Sequence, residues 1–501
     1  MIAIINSIVP FGYQAKAVEV EGDMNRGLPA FSIVGMANKT INEARERVRS
    51  AIVNSGFSFP SKKVTINLAP AELQKDGAYL DLPIALSVLV LSSQLLQADV
   101  NGTVFVGELS LNGKIKPIKG IINIVEAARA SGYKKICVPA QNLPQASLIS
   151  GISVFGVESL KELYLVLKKQ KEPATSLEVA HENLATQDSD GPVLDHVLGQ
   201  DLAKRAIEIA IAGHHNLLIS GPPGAGKTLL AKVAANLLPD LTASEVIELT
   251  KIYSIAGLFT NRVMAGRPFR SPHHSASLTS MIGGASGPGE ISLAHKGVLF
   301  LDEIAEFPRS VLEAMRQPLE DKTITISRAN NKLTFPADFM LIATMNPCPC
   351  GYLGDPTHEC KCTESQIQNY RKKLSGPLFD RIDMNIEVER VSNRDLGGGL
   401  PNVNHEHNVV KNNITGAIQR QKARYGQDGV YNSSLSSFEV SQKIRLDEEA
   451  KKLLNGASEK MALSARSYFK TIKVAQTIAD LSGAEMIQAK HIAEALTYRK
   501  R

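Results

Sequence analysis

Residues 217–238 carry a pattern that few chain topologies accommodate. Leu217-Leu218-Ile219 reads as a buried strand. Gly221-Pro222-Pro223-Gly224-Ala225-Gly226-Lys227-Thr228 then matches G-x-x-x-x-G-K-[ST] at every fixed position, and Leu229 to Leu238 reads as a helix. Glycines let backbone N–H groups curl around an anion with no Cβ in the way. The helix that follows aims free N–H groups and partial positive charge at the same point. The pattern therefore calls for an α/β core that cradles phosphate. There Lys227 would reach the β- and γ-phosphates of ATP, and Thr228 would hold Mg²⁺.

About 75 residues after that loop comes Gly297-Val298-Leu299-Phe300-Leu301-Asp302-Glu303, an apolar strand ending in two carboxylates. Strands capped by Asp-Glu are common, and this one gains meaning from its position. Asp302 stands where Mg²⁺ needs a supporting oxygen, and Glu303 where a base orients and deprotonates the attacking water. A third strand, Met340-Leu341-Ile342-Ala343-Thr344, delivers Asn346. Asn346 suits positioning of the same water; an Asx-turn before Pro347 is the competing reading.

These parts, in this order, resemble an AAA+ ATPase. The resemblance puts Val197-Leu198-Gly199-Gln200 beside adenine and makes Asn346 sensor 1. It makes Arg381, in Gly376-Pro377-Leu378-Phe379-Asp380-Arg381-Ile382-Asp383, the arginine finger. Arg466, in Ser464-Ala465-Arg466-Ser467, becomes sensor 2. An isolated arginine is more often a surface ion pair; motif context singles out these two. In this family the finger comes from the neighbouring subunit, so the resemblance implies a homo-oligomeric ring, usually a hexamer.

The chain has 501 residues, 44% of them hydrophobic, which suits about three domains with ample cores. No apolar run approaches the ~18 residues of a membrane span. The start, Met1 to Asn6, lacks a basic n-region and cleavage site, so the expectation is a cytoplasmic protein with no membrane partner. The net charge of +6, from 56 basic and 50 acidic residues, permits a nucleic-acid partner without requiring one.

Four of the five cysteines cluster as C-x-C-x₉-C-x-C: Cys348, Cys350, Cys360 and Cys362. Two such pairs across a Gly/Pro-bearing loop can converge on one tetrahedral ion, and zinc suits four thiolates. The spacing is tighter than C-x₂-C. Unmetallated thiols and two disulfides are the rivals, the latter disfavoured in a reducing compartment. His358 is an alternative ligand, and Cys137, in Ile136-Cys137-Val138, is expected in a core.

The expected fold class is α/β multidomain. Residues 1–168 alternate strands (Phe31 to Val34, Lys63 to Leu68) with helices (Ile41 to Val53, Leu82 to Leu96). Residues 169–192 are polar and read as a linker. The ATPase core follows over 193–392 with the cysteine cluster. Residues 393–501 form a helical lid, opening with a Gly/Asn/His-rich loop that contains Gly397-Gly398-Gly399; Ala450, Leu453 and Leu454 show its helical period.

The first domain resembles the proteolytic domain of Lon-type proteases through Lys75-Asp76-Gly77-Ala78-Tyr79 and Gly113-Lys114-Ile115-Lys116-Pro117-Ile118-Lys119-Gly120. The resemblance puts Tyr79 at the serine position and Ile122 at the lysine position of the Ser–Lys dyad. A phenol and an alkyl group cannot perform that chemistry, so a binding or structural role is expected.

Over its whole length the chain resembles the ComM/YifB family of Mg-chelatase-subunit-I-like AAA+ proteins. The most specific segments are Arg267-Pro268-Phe269-Arg270-Ser271-Pro272-His273-His274-Ser275, Pro288 to Gly297, and the cysteine block. The resemblance implies a hexameric helicase that drives branch migration on single-stranded or branched DNA during natural transformation. Residues 253–290 would form a pore insert with Arg262, Arg267 and Arg270 on phosphates and Gly283-Gly284 as a mobile tip. His273 and His274 are expected to pack or hydrogen-bond. The competing classes are a chelatase-like or protein-remodelling ATPase and a nucleotide-gated scaffold.

Overall fold

The computed structural model describes residues 2–35, 39–73, 75, 77–175, 184–185, 191–259, 262–284, 287–328, 331–355, 358–374, 376–390 and 405–499. The Gly397-Gly398-Gly399 segment and Asp76 lie outside the described residues. Among the described residues no helix is long and apolar enough to cross a membrane.

The first 175 residues build a mixed eight-stranded sheet. Its centre is a hairpin that the sequence reading did not anticipate, Ile2–Phe11 antiparallel to Gln14–Asn25. Alternation explains it: Ala3 and Ile5 face the core, while Ile2 and Ile4 face out. Further along, Ile8 joins a second core under the helix Ile121–Ala130, so the sheet is covered on both faces. On the other face the helix Asp81–Leu91 is buried at every residue. It stops short of the expected Leu96 because Ser93 turns to φ +59°. Ile122 is wholly buried in the second core, and Tyr79 packs beside both cores. Cys137 is wholly buried as expected, and burial pushes its thiol pKa up.

The segment expected as a linker adds strands at both ends. Ala174–Thr175 pairs with the edge strand Ser153–Val157, and Leu184–Ala185 pairs with Val263–Met264.

The second sheet has five parallel strands in the order Phe269–Arg270, Val298–Leu301, Met340–Met345, Leu217–Ser220, Met384–Glu387. Val298–Leu301 and Met340–Met345 are buried throughout, as strands covered on both faces must be. An unanticipated hairpin, Thr323–Arg328 with Asn331–Pro336, projects from the segment before Met340. Its outer strand meets the turn of the first hairpin, with the Tyr13 and Phe335 rings 6.5 Å apart.

The helix Ala243–Ala256 joins the two sheets. Gly120 N–H donates to Ser254 Oγ (3.0 Å), Ser254 Oγ donates to Gln145 Oε1 (2.9 Å), and Lys251 pairs with Glu126 (2.6 Å).

Helices His405–Tyr425, Glu448–Lys460, Ala465–Ser482 and Ala489–Thr497 form the C-terminal part. Ala450 and Leu454 face inward as expected, whereas Leu453 is 38% exposed. The helix Asp201–Gly213 shares one apolar core with these helices. A buried polar chain crosses the same boundary. His215 Nε2 lies 2.8 Å from Thr477 Oγ1, Asn432 Nδ2 donates to Thr477 Oγ1 (3.0 Å) and Asp480 (2.9 Å), and Asp480 also receives Arg424 and Gln476. Burial pushes His215 down to about 4, so its imidazole is neutral at pH 7.

Asp480 carries this network, because its side chain has no exposure and meets donors from three residues. Asp480→Ala strands Arg424 and Asn432 in the interior. A loss of about 3–5 kcal/mol in denaturant unfolding is expected, with Asp480→Asn milder; an unchanged midpoint would show the network to be dispensable.

Candidate nucleotide site

Register places the site. Ser220 pairs with Met345, and Leu301 with Ala343. One residue beyond each strand, Gly221, Asp302 and Asn346 therefore emerge together at the carboxyl edge of the sheet, where parallel α/β folds bind ligands. Gly224 and Gly226 take φ +79° and +76°, and a Cβ on Gly221 would stand 2.4 Å from the Val388 carbonyl oxygen. The loop geometry thus needs glycine at all three positions. The helix Lys227–Asn236 starts at Lys227.

Lys227 is 8% exposed and donates to Gly221 O (2.6 Å), Pro222 O (3.0 Å) and Asn346 Oδ1 (3.0 Å). Burial pushes its pKa down, while Asp302 and Glu303 pull it back up. Asn346 Nδ2 donates to Glu303 Oε1 at 3.3 Å, so one amide joins the lysine to the carboxylate. Thr228 Oγ1 lies 3.3 Å from Asp302 Oδ2.

Thr344 was read only as part of a strand, yet its hydroxyl donates to Asp302 Oδ1 and accepts Glu303 N–H at 2.9 Å. It orients the first carboxylate and fixes the backbone of the second. Glu303 takes φ +53°, a left-handed conformation that a non-glycine residue adopts at a cost of about 1–3 kcal/mol. Gln200, also in a left-handed conformation, donates from Nε2 to Ala225 O (2.8 Å) and Glu389 O (3.2 Å), bracing the phosphate loop from outside.

The four clustered cysteines converge. Cys348, Cys350 and Cys360 Sγ atoms lie 3.4–3.6 Å apart, and all four sulfurs lie within 4.8 Å of one another. Tetrahedral thiolates around zinc at ~2.3 Å stand about 3.8 Å apart, so the set fits that ion. His358 is not a member: it stacks on Tyr352 (4.8 Å) and its Nδ1 lies 3.4 Å from Arg390. The knuckle lies against the phosphate loop. A Cβ on Gly351 would stand 2.9 Å from Pro223, and Arg390 Nε donates to Pro223 O (3.2 Å) while pairing with Asp355 (3.4 Å).

Arg381 and Arg466 stand apart from this constellation. Both reach Glu320: Arg381 through Nη2, Arg466 through Nη2 at 2.5 Å. They line an open cleft of about 620 Å³, and none of its described lining residues belongs to the phosphate loop. Asn216 holds this side in place. Its Nδ2 donates to Arg381 O (3.1 Å), and its N–H donates to Asp383 Oδ2 (2.9 Å).

The insert departs from expectation. Arg267, expected on nucleic-acid phosphates, is 8% exposed and pairs with Glu245 (3.0 Å) while donating to Pro239 O and Lys296 O. Arg270 pairs through two nitrogens with Glu290, both at 2.7 Å. Each guanidinium is paired with a carboxylate from another element, and Arg267 is buried with its partner, so it is not offered to a ligand in this structure. Gly283–Gly284, expected as a mobile tip, pairs with Gly287–Pro288, and a Cβ on Gly283 would stand 2.6 Å from Gly287 O. Close backbone approach explains that glycine. The His273 and His274 rings pack against each other, tilted, with centroids 4.1 Å apart, and His273 Nδ1 lies 2.8 Å from Ser275 Oγ, as expected.

A phosphate loop, an acidic strand and a polar third strand on one parallel sheet, with a helical C-terminal part, define an ATPase of AAA+ type. Family models agree: the magnesium chelatase subunit ChlI model matches residues 193–396, a second ChlI model matches 20–142, and a ChlI C-terminal model matches 404–499. The chain is 40% identical to "Competence protein ComM" of Haemophilus influenzae over 99% of this chain and 97% of that one. It is 40% identical to "Uncharacterized protein YifB" of Escherichia coli over the same shares. The chain belongs to the ComM/YifB family of magnesium-chelatase-like ATPases, which use nucleotide and Mg²⁺. Part of it, 31% of its length, is also 28% identical to Lon protease 2 of Bacillus subtilis.

The pairing of Arg267 gives a direct test. Arg267→Ala leaves Glu245 unpaired in the interior, and should lower stability by about 3–5 kcal/mol and reduce basal ATP hydrolysis with it. A variant that kept full stability and lost only a response to DNA would contradict the burial.

Proposed function

We propose that the protein is an ATP-hydrolysing ring motor acting on DNA, and that the ring drives branch migration as incoming strands are recombined. The observation that carries the ring is the separation of the two arginines from their own phosphate loop. Both line a cleft that contains no described residue of that loop, an arrangement that suits a phosphate brought by another subunit. A hexamer is the expected assembly. DNA as the substrate is supported by the name of the Haemophilus relative, a competence protein. The Lon-like domain then serves binding or structure. It docks on the helix leading to the insert and on the hairpin Thr323–Arg328/Asn331–Pro336.

In this reading Lys227 exchanges the carbonyls of Gly221 and Pro222 for β- and γ-phosphate oxygens. Glu303 takes a proton from the attacking water, which Asn346 orients through its amide. Thr228 and Asp302 would hold Mg²⁺, which would supply positive charge against the phosphates. Arg381 and Arg466 add positive charge at the γ-phosphate of the neighbouring subunit. The four thiolates would hold zinc as a structural ion beside the Gly351–Pro223 contact.

ATP turnover with and without single-stranded and forked DNA tests the motor. Stimulation severalfold by either DNA is expected, weakening as salt rises because phosphate contacts release counterions. A rate indifferent to DNA would favour a remodelling or chelatase-type ATPase. Elemental analysis of protein purified without added metal should find about one zinc per chain, lost in a Cys360→Ser/Cys362→Ser variant together with stability. Fully active, reduced protein free of metal would refute the zinc assignment.

A further inference from the structure

Glu320 has a contact pattern that the ATPase reading does not require. It ends the short helix Arg316–Asp321 and is 48% exposed, yet its two oxygens are taken by two guanidinium groups 85 residues apart in sequence: Arg381 on one and Arg466 on the other. An exposed carboxylate adds little to folding through such pairs. Arg381 is otherwise built in: it is 15% exposed, Nη1 donates to Pro377 O (2.7 Å), and its backbone carbonyl is held by Asn216. Its Nε is buried with no hydrogen-bond partner, so the fork keeps a donor unspent.

Most of the other charges lining the cleft are satisfied elsewhere, Lys473 among them through the Ser433 carbonyl (3.0 Å). Lys470 pairs with Asp383 (3.1 Å), Lys322 with Asp338 (3.0 Å) and Glu439 with Lys443 (3.1 Å). Glu320 is the carboxylate that the two arginines share among the described residues. The hydrogen bond from Arg381 holds its carboxyl below the usual range, with the charges of Arg381 and Arg466 adding to it.

We propose that Glu320 is a built-in stand-in for phosphate. It keeps Arg381 and Arg466 converged while no neighbour presents a nucleotide, and it yields them to the γ-phosphate that a second copy of this chain brings to the cleft. This rests on the reading that the two arginines serve a neighbouring subunit. A terminal phosphate carries about two negative charges and three acceptor oxygens against one charge and two oxygens for Glu320, and its geometry matches two guanidinium forks. It therefore outcompetes the carboxylate once it is in place, and Glu320 sets how readily an interface becomes active. Glu320 is a positioning residue: it touches the arginines, never the nucleotide.

The test is the ATP hydrolysis rate as a function of subunit concentration for wild type, Glu320→Gln, Glu320→Ala and Arg381→Ala. Without the competing charge, both Glu320 variants should reach half-maximal rate at about three- to tenfold lower subunit concentration. An unchanged or higher half-saturation concentration in both would overturn the stand-in role. Labelling nucleotide-free subunits with phenylglyoxal adds a readout that a merely structural role would not move. Arg381 and Arg466 should be modified faster in Glu320→Gln than in wild type; equal rates would overturn the proposal. Arg381→Ala separates the two levels. If it hydrolysed ATP like wild type, the shared-site reading would fail, and the role of Glu320 with it. If it is inactive while the Glu320 variants do not shift, the stand-in alone fails.

Discussion

Asn346 is held between a cation and an anion. Its carbonyl oxygen accepts from Lys227, and its amide nitrogen donates to Glu303. With the direct Thr228–Asp302 contact it joins the phosphate loop to the acidic strand, and both contacts exist only because the sheet register is right. Ser220 must lie beside Met345, and Leu301 beside Ala343, for the residues that follow them to meet. A slip of one position would turn the third strand over, sending Thr344 and Asn346 to the wrong faces and leaving Lys227 buried against backbone alone. Val298–Leu301 and Met340–Met345 are buried throughout, and the hydroxyl of Thr344, on Asp302 and on the Glu303 N–H, is the polar contact specific to this register.

The same strand that carries the phosphate loop also links two different sites. Asn216 stands at its start and holds Arg381 and Asp383; Gly221 stands at its end. Four strand residues span about 13 Å. The two sites thus share one short strand, buried over its first three residues. The cysteine knuckle and Arg390 hold the far side of the loop through Pro223. The loop is thus braced from three directions: by Asn346, by the knuckle and by Gln200. The N-terminal sheet adds a fourth contact further out, through the helix Ala243–Ala256 and the Tyr13–Phe335 pair.

What could be read from the sequence was what depends on neighbours in sequence. The phosphate loop, the Asp302-Glu303 pair and the C-x-C pairs are short runs whose chemistry is set by spacing, and the structure brings each set together. The helices Lys39–Asn54 and Glu448–Lys460 were legible from period. Contacts between distant residues were not. Nothing in the local sequence marks Glu320, because its meaning lies in residues 61 and 146 positions away. Arg267 and Arg270 sit in a basic, glycine-bearing stretch that suggests a ligand surface, but Glu245 and Glu290 neutralise them across the fold. The opening hairpin was missed because its first six residues were weighed as a chain start and not for their alternation. The Tyr79 and Ile122 positions show the reverse case: a resemblance names the site, and the side chains present decide what it can do.

The central claim is that each active site is composite: Lys227, Glu303 and Asn346 come from one subunit, Arg381 and Arg466 from the next. A structure of the Glu303→Gln variant assembled with ATP and Mg²⁺ tests it most directly. There Lys227 should turn from Gly221 O and Pro222 O onto the phosphates, with both arginines off Glu320 and on the γ-phosphate held by the adjacent subunit. Arg466 on the phosphate of its own subunit, or both arginines still on Glu320 beside an occupied site, would contradict it.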